Sequence, residues 1–276
     1  MSTTRARKTC TPCRGRVAPL LALSLALLQP AIADTAKKPA LDALAAMSQA
    51  SPPDFRAFLA SAAAAEPALA PAAAAYTAKA PLRGDDLVNI GRLLGLHNRL
   101  RNQAACIDTI GRMVALRTVR DEKVPHENPA VIAFGTLVEA LANDFGLSYR
   151  NVDNRVFEVT LAGAGSDVFG ILTHADVVPA VVDEWVLEDG TRLDPFRLTR
   201  VGDYLYGRGT IDDKGSIAAA LYAMKTVKES GVPLKRTIRL MIDTTEETGG
   251  DAIKYYRERT ALPEFNIVLD LSLIHI

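Results

Sequence analysis

The sequence has few cysteines, no net charge and no long apolar run. Three cysteines in 276 residues exclude a small disulfide-stabilised scaffold. Lys and Arg number 32, as do Asp and Glu, so the whole chain is formally neutral. The remaining composition, 49% hydrophobic and 23% charged, is that of a globular protein, which excludes a disordered tail and a collagen-like fibre. A chain of this length buries enough surface to form a core without disulfides.

Residues 1–33 have the three parts of a secretory signal peptide. They contain five basic residues and no acidic one, an apolar run at 18–28, and Ala-Ile-Ala before Asp34. The apolar run is too short to span about 30 Å of hydrocarbon, although a permanent membrane anchor is the alternative interpretation. We therefore expect cleavage after Ala33, no stable membrane span afterwards, and a periplasmic or secreted protein.

Cleavage at this point changes both the cysteine count and the charge. Cys10 and Cys13 are removed, so Cys106 remains alone and forms no internal disulfide. Removing five of the 32 basic residues leaves 27 against 32 acidic residues, a net charge of −5. An acidic chain lacks the basic surface that nucleic-acid binding requires, so we expect no nucleic-acid partner.

Apolar periodicity divides the chain into a helical first part and an α/β second part. Residues 34–84 are rich in Ala and Pro, which predicts a lead-in of short helices interrupted at each Pro. Helical spacing returns after residue 85 and again over 129–145, where Gly146 is a plausible stop. The predicted strands are 156–161, 168–173, 237–242 and 266–269, and the predicted helices between them are 215–229 and 251–259.

Alternation of strands and helices predicts an α/β fold with a mostly parallel sheet flanked by helices. The carboxyl ends of parallel strands lie along one edge of such a sheet, where ligands bind. Polar residues follow three of the predicted strands at that edge: His174 and Asp176, then Glu246 and Glu247, and finally Asp270. Asp212 and Asp213 precede the helix that is predicted from residue 215.

Each of these residues has an ordinary explanation when it is taken alone. His174 with Asp176 could be a solvated loop, the paired glutamates a solvated charge run, and Asp212 with Asp213 a helix N-cap. The sequence GRGTID also imitates a dinucleotide loop, but Asp212 stands where the third Gly is required and no P-loop Lys follows.

Taken together, these residues predict a metal centre. Several carboxylates around one neutral imidazole repel one another unless a cation neutralises them. Imidazole with carboxylate ligands suits zinc, with cobalt or manganese as substitutes, whereas an all-oxygen set suits magnesium or calcium.

Three motifs, LTHADVVPA, YGRGTIDDKG and DTTEETGG, closely resemble those of the co-catalytic zinc metallopeptidases. That family includes aminoacylase, carboxypeptidase G, acetylornithine deacetylase and the PepV-type dipeptidases. The resemblance extends from about residue 85 to 270, and the paired aspartates with TEETGG are most similar to the dipeptidase branch.

The resemblance implies a role for each residue in a site with two zinc ions. His174 and Asp270 would bind the first zinc, Asp212 would bridge both, and Glu247 would bind the second. Asp176 would accept the second ring N–H of His174 and fix its tautomer. Glu246 would be the general base, which takes a proton from the metal-bridging water and passes it to the leaving amine.

The sequence departs from the family pattern near its C-terminus. The family's second zinc normally takes a His from much further along the chain, and a lid domain is inserted between the two halves of the catalytic domain. We expect residues 85–270 to be the N-terminal part of the catalytic domain and 271–276 to be a non-family tail of a truncated sequence. His275 lies outside any motif and is not assigned to zinc. A homodimer through the absent lid domain is possible for this family.

The function implied by the resemblance is hydrolysis of dipeptides or short peptides by an exported zinc peptidase. A deacylase or desuccinylase of N-acyl amino acids is the alternative within the family. A non-catalytic relative that only binds peptides is the alternative from another class, and activity of the truncated chain is in doubt.

Overall fold

The computed structural model describes residues 54–120 and 124–270. The predicted signal peptide and the tail at 271–276, including His275, lie outside these ranges, as does the first part of the Ala/Pro-rich segment. No helix within the described residues has both the length and the apolar character that crossing a membrane requires.

The centre of the fold is a five-stranded mixed sheet with the strand order β1-β2-β6-β3-β7. Strands β3, β6 and β7 are parallel, as predicted, whereas β2 pairs antiparallel with both β6 and β1. A separate hairpin is formed by β4 and β5. The strands are β1 (Ser148–Val152), β2 (Val156–Leu161), β3 (Val168–His174), β4 (Thr199–Val201), β5 (Tyr204–Tyr206), β6 (Thr237–Asp243) and β7 (Phe265–Val268).

The helices begin and end where the local sequence provides capping residues. The Asn128 side chain accepts a hydrogen bond from the Ala130 N–H at the start of α4, and Gly231, with φ of +68°, ends α5. The helices are α1 (Phe55–Ala65), α2 (Ala70–Thr77), α3 (Gly84–Ala115), α4 (Pro129–Asp144), α5 (Lys214–Ser230) and α6 (Asp251–Arg257), and short 3₁₀ turns include Pro67–Leu69 and Glu246–Thr248.

Helices cover both faces of the sheet. On one face, α3, α4 and α5 pack against Phe157 and Val159 of β2 and against Leu240 and Ile242 of β6. On the other face, α6 packs against alternate residues of the same strands, with Tyr256 fully buried. This alternation follows from the two-residue period of a strand, and it places the site-bearing strands in the middle of a three-layer domain.

The Ala/Pro-rich segment forms short helices in the part that the structure describes. The helix α1 ends before Pro67, and Pro71 lies in the first turn of α2. Proline is tolerated there because the N–H groups of the first turn have no acceptor within the helix. Apolar residues of both helices form a buried cluster with the first half of α3, which includes Phe58, Leu59 and Leu93. The predicted domain boundary at residues 84/85 stays a prediction.

Candidate metal centre

The three parallel strands deliver their polar residues to one edge of the sheet. His174 is the last residue of β3, and its register partner Asp243 is the last residue of β6. Asp243 continues into a turn that carries Glu246 and Glu247, while Asp270 lies two residues beyond the end of β7. The predicted convergence of these residues is therefore seen in the fold.

A fourth segment brings Asp212 and Asp213 to the same edge from the N-terminus of α5. The backbone N–H of His174 donates to Oδ2 of Asp213 at 3.1 Å, and Asp213 is fully buried. The peptide bond between the two aspartates is cis. A Cβ on Gly215 would lie 2.2 Å from the backbone oxygen of Thr210, so this helix entry requires Gly.

His174 is the centre of the cluster. Its side chain is only 1% exposed, and its Nε2 lies 2.7 Å from Oδ1 of Asp212. The same nitrogen lies 3.9 Å from Oδ1 of Asp270 and 4.0 Å from Oε2 of Glu246. One imidazole nitrogen therefore faces three carboxylates, an arrangement that suits a shared cation.

Two overlapping groups of side chains have donor atoms close enough to hold a metal ion. One consists of His174, Glu246 and Asp270, and the other of His174, Asp212 and Glu247, with the donor atoms of each group within 4.8 Å of one another. Both combine an imidazole with carboxylates, which is a donor set that zinc accepts. The individual roles of ligand, bridge and base remain predictions, and Glu246 lies near enough to be a ligand itself.

Asp176 connects the imidazole to the glutamate pair. The Nδ1 of His174 lies 3.0 Å from the backbone oxygen of Asp176 and 3.4 Å from its Oδ1. The two carboxylate oxygens also accept one hydrogen bond each, at 3.1 Å, from the backbone N–H groups of Glu246 and Glu247. The 4% exposed Asp176 thus orients the ring and the glutamate turn together.

Burial and clustered charge shift the pKa of several groups at this edge. Burial alone lowers the pKa of His174, but hydrogen bonds with Asp176 and Asp212 and the nearby charge of Asp213 outweigh it and raise that pKa to about 11. Partial burial raises the pKa of Glu246 and of Glu247, and neighbouring carboxylates raise both further. The cluster thus favours positive charge at the position of the imidazole, as expected of a cation site.

Two fully or nearly fully buried polar residues near the centre each donate a hydrogen bond to a backbone oxygen. The Thr118 hydroxyl donates to the Ala175 oxygen at 2.6 Å, and the Lys214 ammonium donates to the Leu116 oxygen at 2.7 Å. Nothing in the sequence pattern marks Thr118, because its partner is a backbone atom 57 residues away.

The residues that the sequence left without a role lie away from the centre. His97 is buried between the rings of Phe55 and Phe58, with centroid distances of 5.5 and 5.3 Å. His126 contacts Arg155, with Nε2 3.1 Å from Nη2. Burial raises the pKa of Cys106 to about 12, so this thiol is not an activated nucleophile.

Comparison with known proteins finds a family similarity in part of the chain. Residues 170–274 match the family model of Peptidase family M20/M25/M40. The match begins in β3 and includes every residue of the candidate metal centre.

Curated relatives are longer proteins that match this chain over part of its length. A Staphylococcus saprophyticus protein named "Putative dipeptidase" is 33% identical over 168 residues, which cover 59% of this chain and 34% of the relative. "Putative dipeptidase YtjP" of Bacillus subtilis is 34% identical over 125 residues, 45% of this chain and 25% of that protein. The chain thus spans about a third or less of the length of these relatives.

A solved structure of the family has the same fold. The M20 family metallo-carboxypeptidase Sso-CP2 from Sulfolobus solfataricus superposes with a TM-score of 0.51 at 18% identity. The superposition covers 61% of this chain and 38% of the other. The superposed part of this chain therefore has the same mixed α/β fold as that structure.

Proposed function

We propose that this protein is an M20 peptidase that hydrolyses the amide bond of dipeptides or short peptides with two bound zinc ions. The observation that carries the proposal is the convergence of three carboxylates within 4.0 Å of one buried imidazole nitrogen at the carboxyl edge of the sheet. Relatives that are named dipeptidases support the substrate class.

The donor set fits the proposed ions. His174 and Asp270 would hold the first ion, Asp212 would be shared, and Glu247 would bind the second. A divalent ion bound there polarises the scissile carbonyl and lowers the pKa of a nearby water. Cobalt or manganese are expected to substitute for zinc, since both accept nitrogen and oxygen ligands.

Glu246 is the proposed general base. Its backbone N–H is held by Asp176, while its side chain is 47% exposed and reaches the space in front of His174. A fixed backbone with a solvent-accessible carboxylate suits a group that takes a proton from the attacking water and delivers it to the leaving amine. Partial burial raises the pKa of this carboxyl, which makes it a better proton acceptor.

We also propose that the protein is exported to the periplasm or beyond. Support comes from the basic start, the short apolar run and the Ala-Ile-Ala sequence of residues 1–33. Mass measurement of the mature N-terminus after expression with its own leader tests this, and an uncleaved Met1 in the cytosolic fraction would refute it.

The decisive test combines metal content with a substrate panel. The full-length parent protein is reconstituted with zinc, its metal content is measured by mass spectrometry, and free dipeptides are compared with N-acyl amino acids as substrates. We expect about two ions per chain and cleavage of dipeptides. Cleavage of N-acyl amino acids alone would support a deacylase, and peptide binding without any cleavage would support a binding protein.

Glu246→Gln tests whether Glu246 is the general base or a metal ligand. We expect the variant to keep its metal and to lose turnover by roughly 100-fold or more. Glu258→Gln is the matched control and should behave like the parent, because this residue directly follows α6 and its side chain is 70% exposed. Retained turnover, or loss of one ion from Glu246→Gln, would refute the assignment of Glu246 as the base.

A further inference from the structure

Residues 116–119, here called the brace, lie beside the loop that carries His174. The Thr118 hydroxyl donates to the Ala175 oxygen at 2.6 Å, and the Val177 N–H donates to the Thr118 oxygen at 3.1 Å. Val119 and Val177 form an isolated parallel bridge. The brace therefore holds the loop on both sides of Asp176 although it follows α3 and precedes every strand.

The brace is also bound to the segment that carries Asp212. The Lys214 ammonium, fully buried, donates to the Leu116 oxygen at 2.7 Å. The aliphatic stem of Lys214 packs closely against Gly209. A Cβ at that position would lie 3.0 Å from Cδ of Lys214. Burial of a lysine ammonium is costly without a hydrogen-bond partner. This contact therefore fixes the first residue of α5 against the brace.

These contacts close a ring around the two ligand-bearing segments. From His174 the ring passes through Ala175 to Thr118, along the brace to Leu116, through Lys214 to Asp213, and back to the backbone N–H of His174. The four polar or charged residues of the ring, His174, Thr118, Asp213 and Lys214, are each at most 1% exposed. A closed, buried ring restricts the separation of His174 and Asp212, whose side chains meet at 2.7 Å.

We propose that Thr118 and Lys214 are positioning residues that set the geometry between His174 and Asp212 and thereby the affinity of the centre for divalent metal. The inference rests on the proposed metal centre. It assigns neither residue a contact with metal or substrate. Groups that orient metal ligands in this way typically change metal affinity by 10- to 100-fold when they are removed.

Thr118→Val provides the test, because valine keeps the shape and removes only the donor hydroxyl. Zn²⁺ and Co²⁺ affinities of the full chain are measured by chelator competition, together with the Co²⁺ absorption spectrum and the thermal unfolding of the metal-free protein. We expect about 10-fold weaker binding and an altered Co²⁺ spectrum. Thr118→Ser keeps the hydroxyl and should restore both to within about threefold of the parent.

Matched controls separate positioning from general destabilisation. Thr136→Val removes an exposed hydroxyl that donates to a helix carbonyl at 3.2 Å, and it should leave affinity and spectrum unchanged. Lys214→Met is compared in the same way with Lys225→Met on the same helix, where the ammonium pairs with Glu229. If Lys214→Met does not fold, Thr118→Val decides the question by itself.

Two failures are distinguishable. If the parent chain binds neither Zn²⁺ nor Co²⁺, the proposed function fails. If the parent binds metal and Thr118→Val binds it equally well with an unchanged spectrum, the brace is only structural and this inference is wrong.

Discussion

Asp176 shows how one buried carboxylate can organise several functional groups. Its two oxygens accept hydrogen bonds from the backbone N–H groups of Glu246 and Glu247, while its backbone oxygen and Oδ1 face the imidazole of His174. Charge-assisted hydrogen bonds of this kind are stronger than neutral ones. The negative charge of Asp176 thus helps to hold the glutamate turn against the ring.

Asp176→Asn tests this arrangement at the scale of one residue. The amide presents only one acceptor oxygen, so one of the two N–H groups loses its partner and the glutamate turn becomes less fixed. We expect zinc affinity to fall by roughly 10- to 100-fold, measured by chelator competition. Asp189→Asn, in an exposed turn with a 2.9 Å bond from the Thr191 N–H, is the control. Equal zinc affinity of both variants would show that an amide at position 176 holds the glutamate turn as well as the carboxylate does.

The site residues could be predicted from the sequence, but their hydrogen bonds could not. Residue types at strand ends place His174 and Asp270 at one edge, because parallel strands share that edge. The Asp176 carboxylate accepts hydrogen bonds from the backbone N–H groups of Glu246 and Glu247, which lie 70 and 71 residues further along the chain. These bonds depend on how the two loops approach each other in the fold. No local pattern of residue types encodes such an approach.

At the scale of elements, the predictable strands are those with a run of apolar, largely β-branched residues. The strand at 156–161 was predicted at its observed bounds, and its burial is nearly continuous. The edge strand β1, with the sequence SYRNV, has only Val152 buried and therefore lacks the apolar period that marks a strand. Its conformation comes from pairing with β2, which is a tertiary contact.

Two helical glycines give opposite predictions for the same substitution. A Cβ on Gly135 of α4 would lie 2.4 Å from Cε1 of Phe157, so Gly135→Ala is expected to destabilise the fold by roughly 1–3 kcal/mol through overpacking. Nothing lies within 4 Å of a Cβ on Gly91 of α3, so Gly91→Ala should stabilise the helix by about 0.5–1 kcal/mol. Urea unfolding of both variants measures these changes. A neutral Gly135→Ala would show that Phe157 can move aside.

At the scale of the whole molecule, the first two helices pack as part of the described structure. Leu59 of α1 is 1% exposed in the cluster that includes α3, so Leu59→Ala should lower the free energy of unfolding by about 2–5 kcal/mol. Leu87→Ala, on a side chain that is 53% exposed, should change it by less than about 0.5 kcal/mol. Equal urea midpoints for the two variants would indicate that α1 adds little to the stability of the domain.

The metal centre also couples to the stability of the whole molecule. Carboxylates held together at one edge repel each other in the folded state, and a cation that binds only the folded state relieves this repulsion. At a free zinc concentration of 100 Kd, linkage gives about 2.7 kcal/mol, or an increase in Tm of roughly 5–10 °C for a domain of this size.

Calorimetry with and without zinc measures this increase, and a chelator should reverse it. His174→Ala removes the only residue shared by both groups of candidate ligands, so the zinc-dependent increase should disappear. His126→Ala removes an imidazole that contacts Arg155 instead, and it should retain the full increase. If zinc stabilised His174→Ala as much as the parent, the ion would be binding elsewhere on the chain, and the convergence of carboxylates on His174 would need an explanation other than metal binding.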